Sequence, residues 1–193
     1  MVGTLRSIDL DDVALVGPAG VGKDTVASLL VEEYGFTRVA FADALKGALM
    51  RVDPQVGSGR LSDLVLGSGW DRAKVNPEVR RLLQEFGMAI RDISPEFWIE
   101  ATADVVDQVD GPVVITDLRM PNEYEYAVAE LGALTVRLSR PDVDTGLGWR
   151  SHESERALDD FEFDLEISGD SWTPSQAANA IWVTLQEGES HVQ

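Results

Sequence analysis

The sequence predicts an α/β fold in which a parallel sheet is covered by helices, and three observations lead there. Short β-branched runs alternate with amphipathic helical stretches along the chain. The first run leads straight into a glycine-rich loop that opens a helix. Five runs in all have strand character, which sets the size of the sheet.

In chain order, VALVG (13–17) reads as a buried strand. KDTVASLLVEEYG follows as a helix, with Val26, Leu29, Leu30 and Tyr34 near helical spacing and Gly35 as the stop. TRVAFA (37–42) is the second strand, and a helix begins near Asp43. Residues 57–69 are rich in glycine and serine with little periodicity, so they read as a mobile excursion. Asn76-Pro77-Glu78 opens a helix, because Asn caps and Pro suits the first turn. Its buried stripe is Val79, Leu82, Leu83, Phe86 and Ile90. Ser94-Pro95-Glu96 opens another, with Trp98, Thr102, Val105 and Val109 on one face. PVVITDLR (112–119) is the most strand-like run. A helix from Pro121 follows, with Tyr124, Ala127, Val128 and Leu131 inward and Gly132 ending it. ALTVRLSR (133–140) is the fourth strand. The polar segment 141–160 has the character of a lid, and FDLEISG (163–169) is the fifth strand. Thr173-Pro174-Ser175-Gln176 is a capping box for a last helix that runs into a polar tail.

The chain has 193 residues, 44% hydrophobic and 26% charged, which suits one globular domain with a real core. We expect that core at 12–42, 111–140 and 161–188, with an insertion at 43–110. Apolar stretches are strand-length, so no membrane partner is expected. The first residues lack the charged-then-apolar pattern of a secretory leader, and a cytoplasmic location fits. Cysteine is absent, which excludes disulfide frameworks, thiolate metal sites and cysteine nucleophiles. The net charge of −18 argues against polymeric nucleic acid as a partner. With only 3 lysines and 13 arginines, every cation near a motif is informative.

Gly17-Pro18-Ala19-Gly20-Val21-Gly22-Lys23 has the spacing of a Walker A loop. Glycines let main-chain N–H groups of Ala19, Gly20, Val21 and Gly22 face a phosphate, and the helix N-terminus adds its dipole. Lys23 supplies the full charge for the outer phosphates of ATP. The usual Ser or Thr is displaced by one: Asp24 comes next, then Thr25. A bare carboxylate beside triphosphate is repelled unless Mg²⁺ sits between them. Asp24 on the metal with Thr25 on the α-phosphate is one reading; Asp24 outward, with Thr25 doing both jobs, is the other. Asp117 ends VVIT at the position where a carboxylate holds Mg²⁺ or its waters. Arg119 lies two residues on, so it shares that face. Together with Arg140 and Arg150 it is placed to spread over equatorial phosphoryl oxygens. Salt bridges to Glu153, Glu155 or Asp159 are the structural alternative.

At this point GKDTVA, FADALK, RRLLQEFG with a later Arg and FW, VITDLRMPNEYE, HESE and a closing I-x-G, in that order, resemble the deoxynucleoside monophosphate kinases of bacteriophages. The likeness spans roughly residues 12–185. It implies a three-layer αβα P-loop kinase fold: a five-stranded parallel sheet, an acceptor-binding helical region (43–110) and a lid (141–160). It implies Mg²⁺-dependent transfer of the γ-phosphoryl of ATP to a deoxynucleoside 5′-monophosphate, in the host cytoplasm; some such enzymes are homodimers. Residue by residue, it places Asp43 and Lys46 facing the acceptor, Lys46 on the monophosphate and Asp43 on sugar or base, or simply capping its helix. Gln84, Gly87 and Arg91 share a helix stripe: Arg91 for the acceptor phosphate, Gln84 for the base, and Gly87 leaving room for a flat ligand. Arg119 also faces the acceptor, and Arg91 has Asp92 or Glu96 as alternative partners. In the lid, Trp149 stacks on a base and His152 and Glu153 meet substrate oxygens. Ser168, Gly169 and Arg137 go with ATP. The acceptor oxygen is already anionic near neutral pH, so no general base is required. Two competing readings stand beside this one: a small-molecule kinase of phosphomevalonate or shikimate type, and a non-catalytic ATP-binding regulator. A GTPase is disfavoured because no N-K-x-D motif occurs.

Overall fold

The computed structural model describes residues 12–140, 157–168 and 172–189. It divides into two compact units, one formed by 1–40 with 105–193 and the other by 41–104.

The first unit holds a five-stranded parallel sheet of β1 (Val13–Val16), β2 (Thr37–Val39), β5 (Val113–Ile115), β6 (Leu134–Ser139) and β7 (Leu165–Ser168). Their order is β2-β5-β1-β6-β7, and every pairing is parallel. β1 is central, with Val13 opposite both Val114 and Leu134. All four β1 residues are buried, as expected where helices cover both faces. The carboxylate of Asp12 accepts from Val113 N–H at 2.7 Å, and its carbonyl accepts from Leu134 N–H at 2.8 Å. One buried aspartate thus pins the starts of three neighbouring strands.

One sheet face is set by alternation. Val13, Leu15, Val114, Val136, Leu138 and Ile167 pack against α1 (Lys23–Tyr34) and α7 (Pro174–Glu189). Tyr34 stacks on Trp182 at 5.0 Å, which seals the α1–α7 seam. Thr173 and Gln176 cap α7 reciprocally, at 2.9 and 3.2 Å, as the sequence predicts. Val39, Val106 and Val113 form a core on the other side of the sheet. α6 (Pro121–Ala129) leads into β6. Gly35 ends α1 in the left-handed conformation, also as predicted.

The second unit carries α2 (Phe41–Val52), a hairpin of β3 (Gln55–Val56) and β4 (Gly59–Arg60), α3 (Leu61–Ala73), α4 (Pro77–Ile93) and most of α5 (Phe97–Val106). Its core is Leu49, Val56, Leu61, Ala73 and Val79. Residues 57–69, expected as a mobile excursion, are instead the hairpin turn and most of α3. Asp53 does this: it accepts from Ser62 N–H at 2.9 Å and Ser62 Oγ at 3.0 Å, while its carbonyl takes the Arg60 guanidinium at 2.9 Å. Leu61, fully buried beside it, anchors the helix start. Asn76 caps α4 through Glu78 N–H at 2.9 Å, as expected.

Two boundaries move, and one inward-facing pattern shifts. α2 begins at Phe41, so the second strand is half the expected length; Phe41 is buried as a helix residue. β5 stops at Ile115 rather than running to Arg119. Val105 and Val128 are exposed, and Val106 and Glu123 take the inward positions instead.

Candidate active site

The loop between β1 and α1 is shaped by its glycines. Gly17, Gly20 and Gly22 all have positive φ, at 148°, 80° and 111°. At Gly17 a Cβ would lie 2.3 Å from the carbonyl oxygen of Leu138, so the loop grazes the backbone of β6 and excludes any side chain. Gly22 is the N-cap of α1 and, having no side chain, leaves the first-turn donors of that helix uncapped. Uncapped first-turn amides with a dipole behind them attract anions.

One cation lies within the loop and another beside it. Lys23 is buried, and its ammonium folds back to donate to the carbonyls of Gly17 at 2.6 Å and Pro18 at 3.0 Å. Arg140, immediately after β6, brings Nη2 to within 3.8 Å of the point where a Cβ on Gly22 would stand. A buried ammonium held by its own loop carbonyls can exchange them for phosphate oxygens. Beside the loop lies a small groove lined by Val21, Gly22, Arg140, Ile167, Trp172 and Pro174 among others. Its walls are mostly apolar, with one half-exposed indole. Sequence reading missed Trp172: only its place next to the α7 capping box marked it.

The oxygen donors expected around a metal lie in the same unit. Asp24 and Thr25 are exposed on the first turn of α1, and Asp117 is half-buried just past the end of β5. All are hard oxygen ligands, and one or two carboxylates with phosphate and water suit Mg²⁺. Among the described residues no group of three acidic or histidine side chains forms a metal cage. The bend carrying Asp117 and Arg119 is set by Glu123, which sequence reading passed over. Its carboxylate is 2% exposed and accepts from the N–H groups of Arg119 at 3.0 Å and Met120 at 3.1 Å. Arg119 itself is half-buried.

Arg137, expected with ATP, is engaged elsewhere. Its guanidinium donates to the carbonyls of Leu158 and Asp159 and lies 4.2 Å over the ring of Phe163. Tyr124 packs on Phe161 and Phe163 and donates to Glu162 O at 2.6 Å, so this corner is an anchor for residues 157–163. Ser168 is exposed at the end of β7. Gly169, Trp149, Arg150, His152 and Glu153 lie outside the described residues.

In the second unit, Asp43 and Lys46 stand on the first turns of α2 as an ion pair of 2.6 Å. Gln84 is exposed and Arg91 half-buried on α4. The space beside Gly87 is not left for a ligand. A Cβ there would meet the Leu45 side chain at 3.3 Å, and the Gly87 carbonyl accepts from the Trp98 indole at 3.2 Å. Gly87 is small so that α2 can pack against α4.

Fold and site together define a parallel α/β protein whose first strand runs through a glycine-rich loop with Walker A spacing into the first helix. No protein-family model matches the sequence. It is 31% identical over 166 residues to an uncharacterized protein, ORF77, of Ictalurid herpesvirus 1 (strain Auburn), covering 82% of this chain and 64% of that protein. It is 29% identical over 152 residues to an Acanthamoeba polyphaga mimivirus protein provisionally named a deoxynucleotide monophosphate kinase, covering 68% of this chain and 75% of that one. A Geobacter adenylate kinase matches at 30% identity over 100 residues, covering 52% of this chain and 44% of the enzyme. The chain therefore spans less than two thirds of the first of these relatives. Among solved structures, TT1252 from Thermus thermophilus superposes with a TM-score of 0.53 at 15% identity, over 91% of this chain and 97% of its own, which places the fold. Two of the three relatives thus carry kinase names.

Proposed function

We propose that this chain is a deoxynucleoside monophosphate kinase, moving the γ-phosphoryl group of ATP to a deoxynucleoside 5′-monophosphate to give the diphosphate and ADP. The observation that carries the reading is the glycine loop itself: Gly22 starts α1 with no side-chain cap, the buried Lys23 ammonium rests on the loop carbonyls of Gly17 and Pro18, and Arg140 Nη2 reaches within 3.8 Å of a Cβ placed on Gly22. A helix start without a side-chain cap, with a lysine in the loop and an arginine beside it, suits a polyanion. The name of the mimivirus relative supports a deoxynucleotide as acceptor.

In this reading the amides of residues 19–25 hold the donor phosphates, and Lys23 exchanges its two loop carbonyls for phosphate oxygens. The donor base lies in the adjoining groove against Trp172. Asp117, Asp24 and Thr25 are the oxygen ligands for Mg²⁺, which when bound neutralises charge between the phosphates. Arg119, Arg140 and Arg150 hold the transferring group in line with the acceptor. On the acceptor side, Lys46 exchanges Asp43 for the monophosphate, and Arg91 and Gln84 meet phosphate and base. Trp149, His152 and Glu153 are further candidates for substrate contact on the strength of the resemblance alone, and lie outside the described residues.

The test is release of ADP from Mg²⁺·ATP against each of the four deoxynucleoside monophosphates, the matching ribonucleotides and a set of small acids. Turnover on at least one deoxynucleotide, abolished in Lys23→Ala, is the expected result. Turnover only on a small acid replaces the acceptor class. Nucleotide binding without turnover on any acceptor ends the enzyme reading.

A further inference from the structure

Thr116 stands between β5 and Asp117, and its hydroxyl is buried without a hydrogen-bond partner among the described residues. The residue is only 2% exposed. A buried hydroxyl with no partner is costly, and an apolar residue of the same shape would avoid the cost. Valine fills that role at Val113 and Val114 just before it.

The side chain's direction follows from the register. Val114 faces α1, in the same core as Val13 and Leu15, whereas Val113 belongs to the core on the other side. Thr116 continues the extended pairing, since its N–H donates to Val39 O at 3.2 Å. Alternation therefore turns its hydroxyl to the α1 side. With Ala14 opposite Ile115, Thr116 falls level with Leu15, two residues before Gly17. By register the residue therefore faces α1, level with Leu15 on the strand that runs into the glycine loop, and is next in sequence to Asp117.

We propose that Thr116 is a positioning residue for the hydrated divalent cation carried by the bound nucleotide. Its hydroxyl gains a partner in the water shell of that cation, and so fixes the metal's place between Asp117 and the outer phosphates. The protein keeps an unpartnered hydroxyl in the free state because loading satisfies it. This rests on the nucleotide reading above, and the experiment separates the two.

Wild type, Thr116→Val and Thr116→Ser are melted free, with ATP and chelator, and with Mg²⁺·ATP over a concentration series. For Thr116→Val we expect a free melting temperature equal to or above wild type. Binding of metal-free ATP is unchanged, and affinity for Mg²⁺·ATP is weakened roughly 5- to 10-fold, the worth of one hydrogen bond. Thr116→Ser, which keeps the hydroxyl, restores the Mg²⁺ increment. Three results each overturn the inference: Mg²⁺·ATP affinity of the valine variant within twofold of wild type, equal weakening with and without Mg²⁺, or a free protein melting several degrees lower. The last would show that the hydroxyl has a structural partner. If wild type shows no ATP-dependent shift at all, the nucleotide reading fails and this inference falls with it.

Discussion

Replacing Gly17 by alanine tests whether the loop's path is dictated by its contact with β6. A Cβ at this position would sit 2.3 Å from the Leu138 carbonyl oxygen, on a backbone with φ of 148°. Ordinary contact begins near 3.4 Å, so loop and strand must part by about 1 Å. β6 is paired on both sides and cannot yield cheaply. Positive φ on a residue with a side chain costs roughly 1–3 kcal/mol, and the forced overlap adds about as much as overpacking a core, another 1–3 kcal/mol. For a chain of this size each kcal/mol lowers the melting temperature by about 2–4 °C, so a fall on the order of 10 °C is expected in a thermal melt. Gly20→Ala is the built-in control. It shares a positive φ, at 80°, but nothing lies within 4 Å of its Cβ. It should lose only a few degrees. If both variants melt alike, the contact with Leu138 is not what shapes the loop, and the argument from loop geometry to a rigid phosphate cradle is wrong.

Glu123→Gln removes the charge from an acceptor that serves two main-chain amides in a buried site. A loss of about 1–2 kcal/mol is expected, read as a lower denaturation midpoint, together with slower turnover because Asp117 and Arg119 lose their fixed bend; an unchanged midpoint would mean that the amides find another partner. Asn76→Ala deletes the cap of α4 and should cost about 1 kcal/mol in chemical denaturation. ATP binding should be unaffected, since the cap lies in the unit formed by residues 41–104. A weaker ATP shift in that variant would contradict the independence of cap and loop.

The glycine loop between β1 and α1 was legible in the sequence because its requirements fall on adjacent residues: backbone freedom at three glycines, then a helix start. The same holds for Asn76 and for the Thr173–Gln176 pair, whose partners lie two or three residues away. What stayed hidden depends on partners that composition does not show. Residues 57–69 looked unstructured because their glycines and serines carry no periodicity. The helix there is started by Asp53, eight or nine residues upstream, and by the burial of Leu61. Glu123 reads as a solvent-facing helix residue until the chain before it curls over its carboxylate. Arg137 sits on a strand whose register brings Phe163 beneath it. Gly87 looked like space for a ligand, and the space belongs to Leu45.

These hidden elements bear on the site in one consistent way. The expected strand 112–119 stops at Ile115, and the residues beyond it include two, Asp117 and Arg119, on which the proposed chemistry draws. A strand continuing to Arg119 would spend the amides of 119 and 120 on the sheet. Instead both go to Glu123, which frees the chain to turn away from β1 at the carboxyl edge. Thr116 and Leu118 are buried beyond the strand's end, while Asp117 and Arg119 are partly exposed. A buried carboxylate on α6 thus fixes the chain at the edge just past an apolar strand, where a hydroxyl, a carboxylate and a guanidinium follow within four residues. Such an edge arises at the C-terminal ends of parallel strands because those ends lie beside the helix N-terminus that attracts the anion.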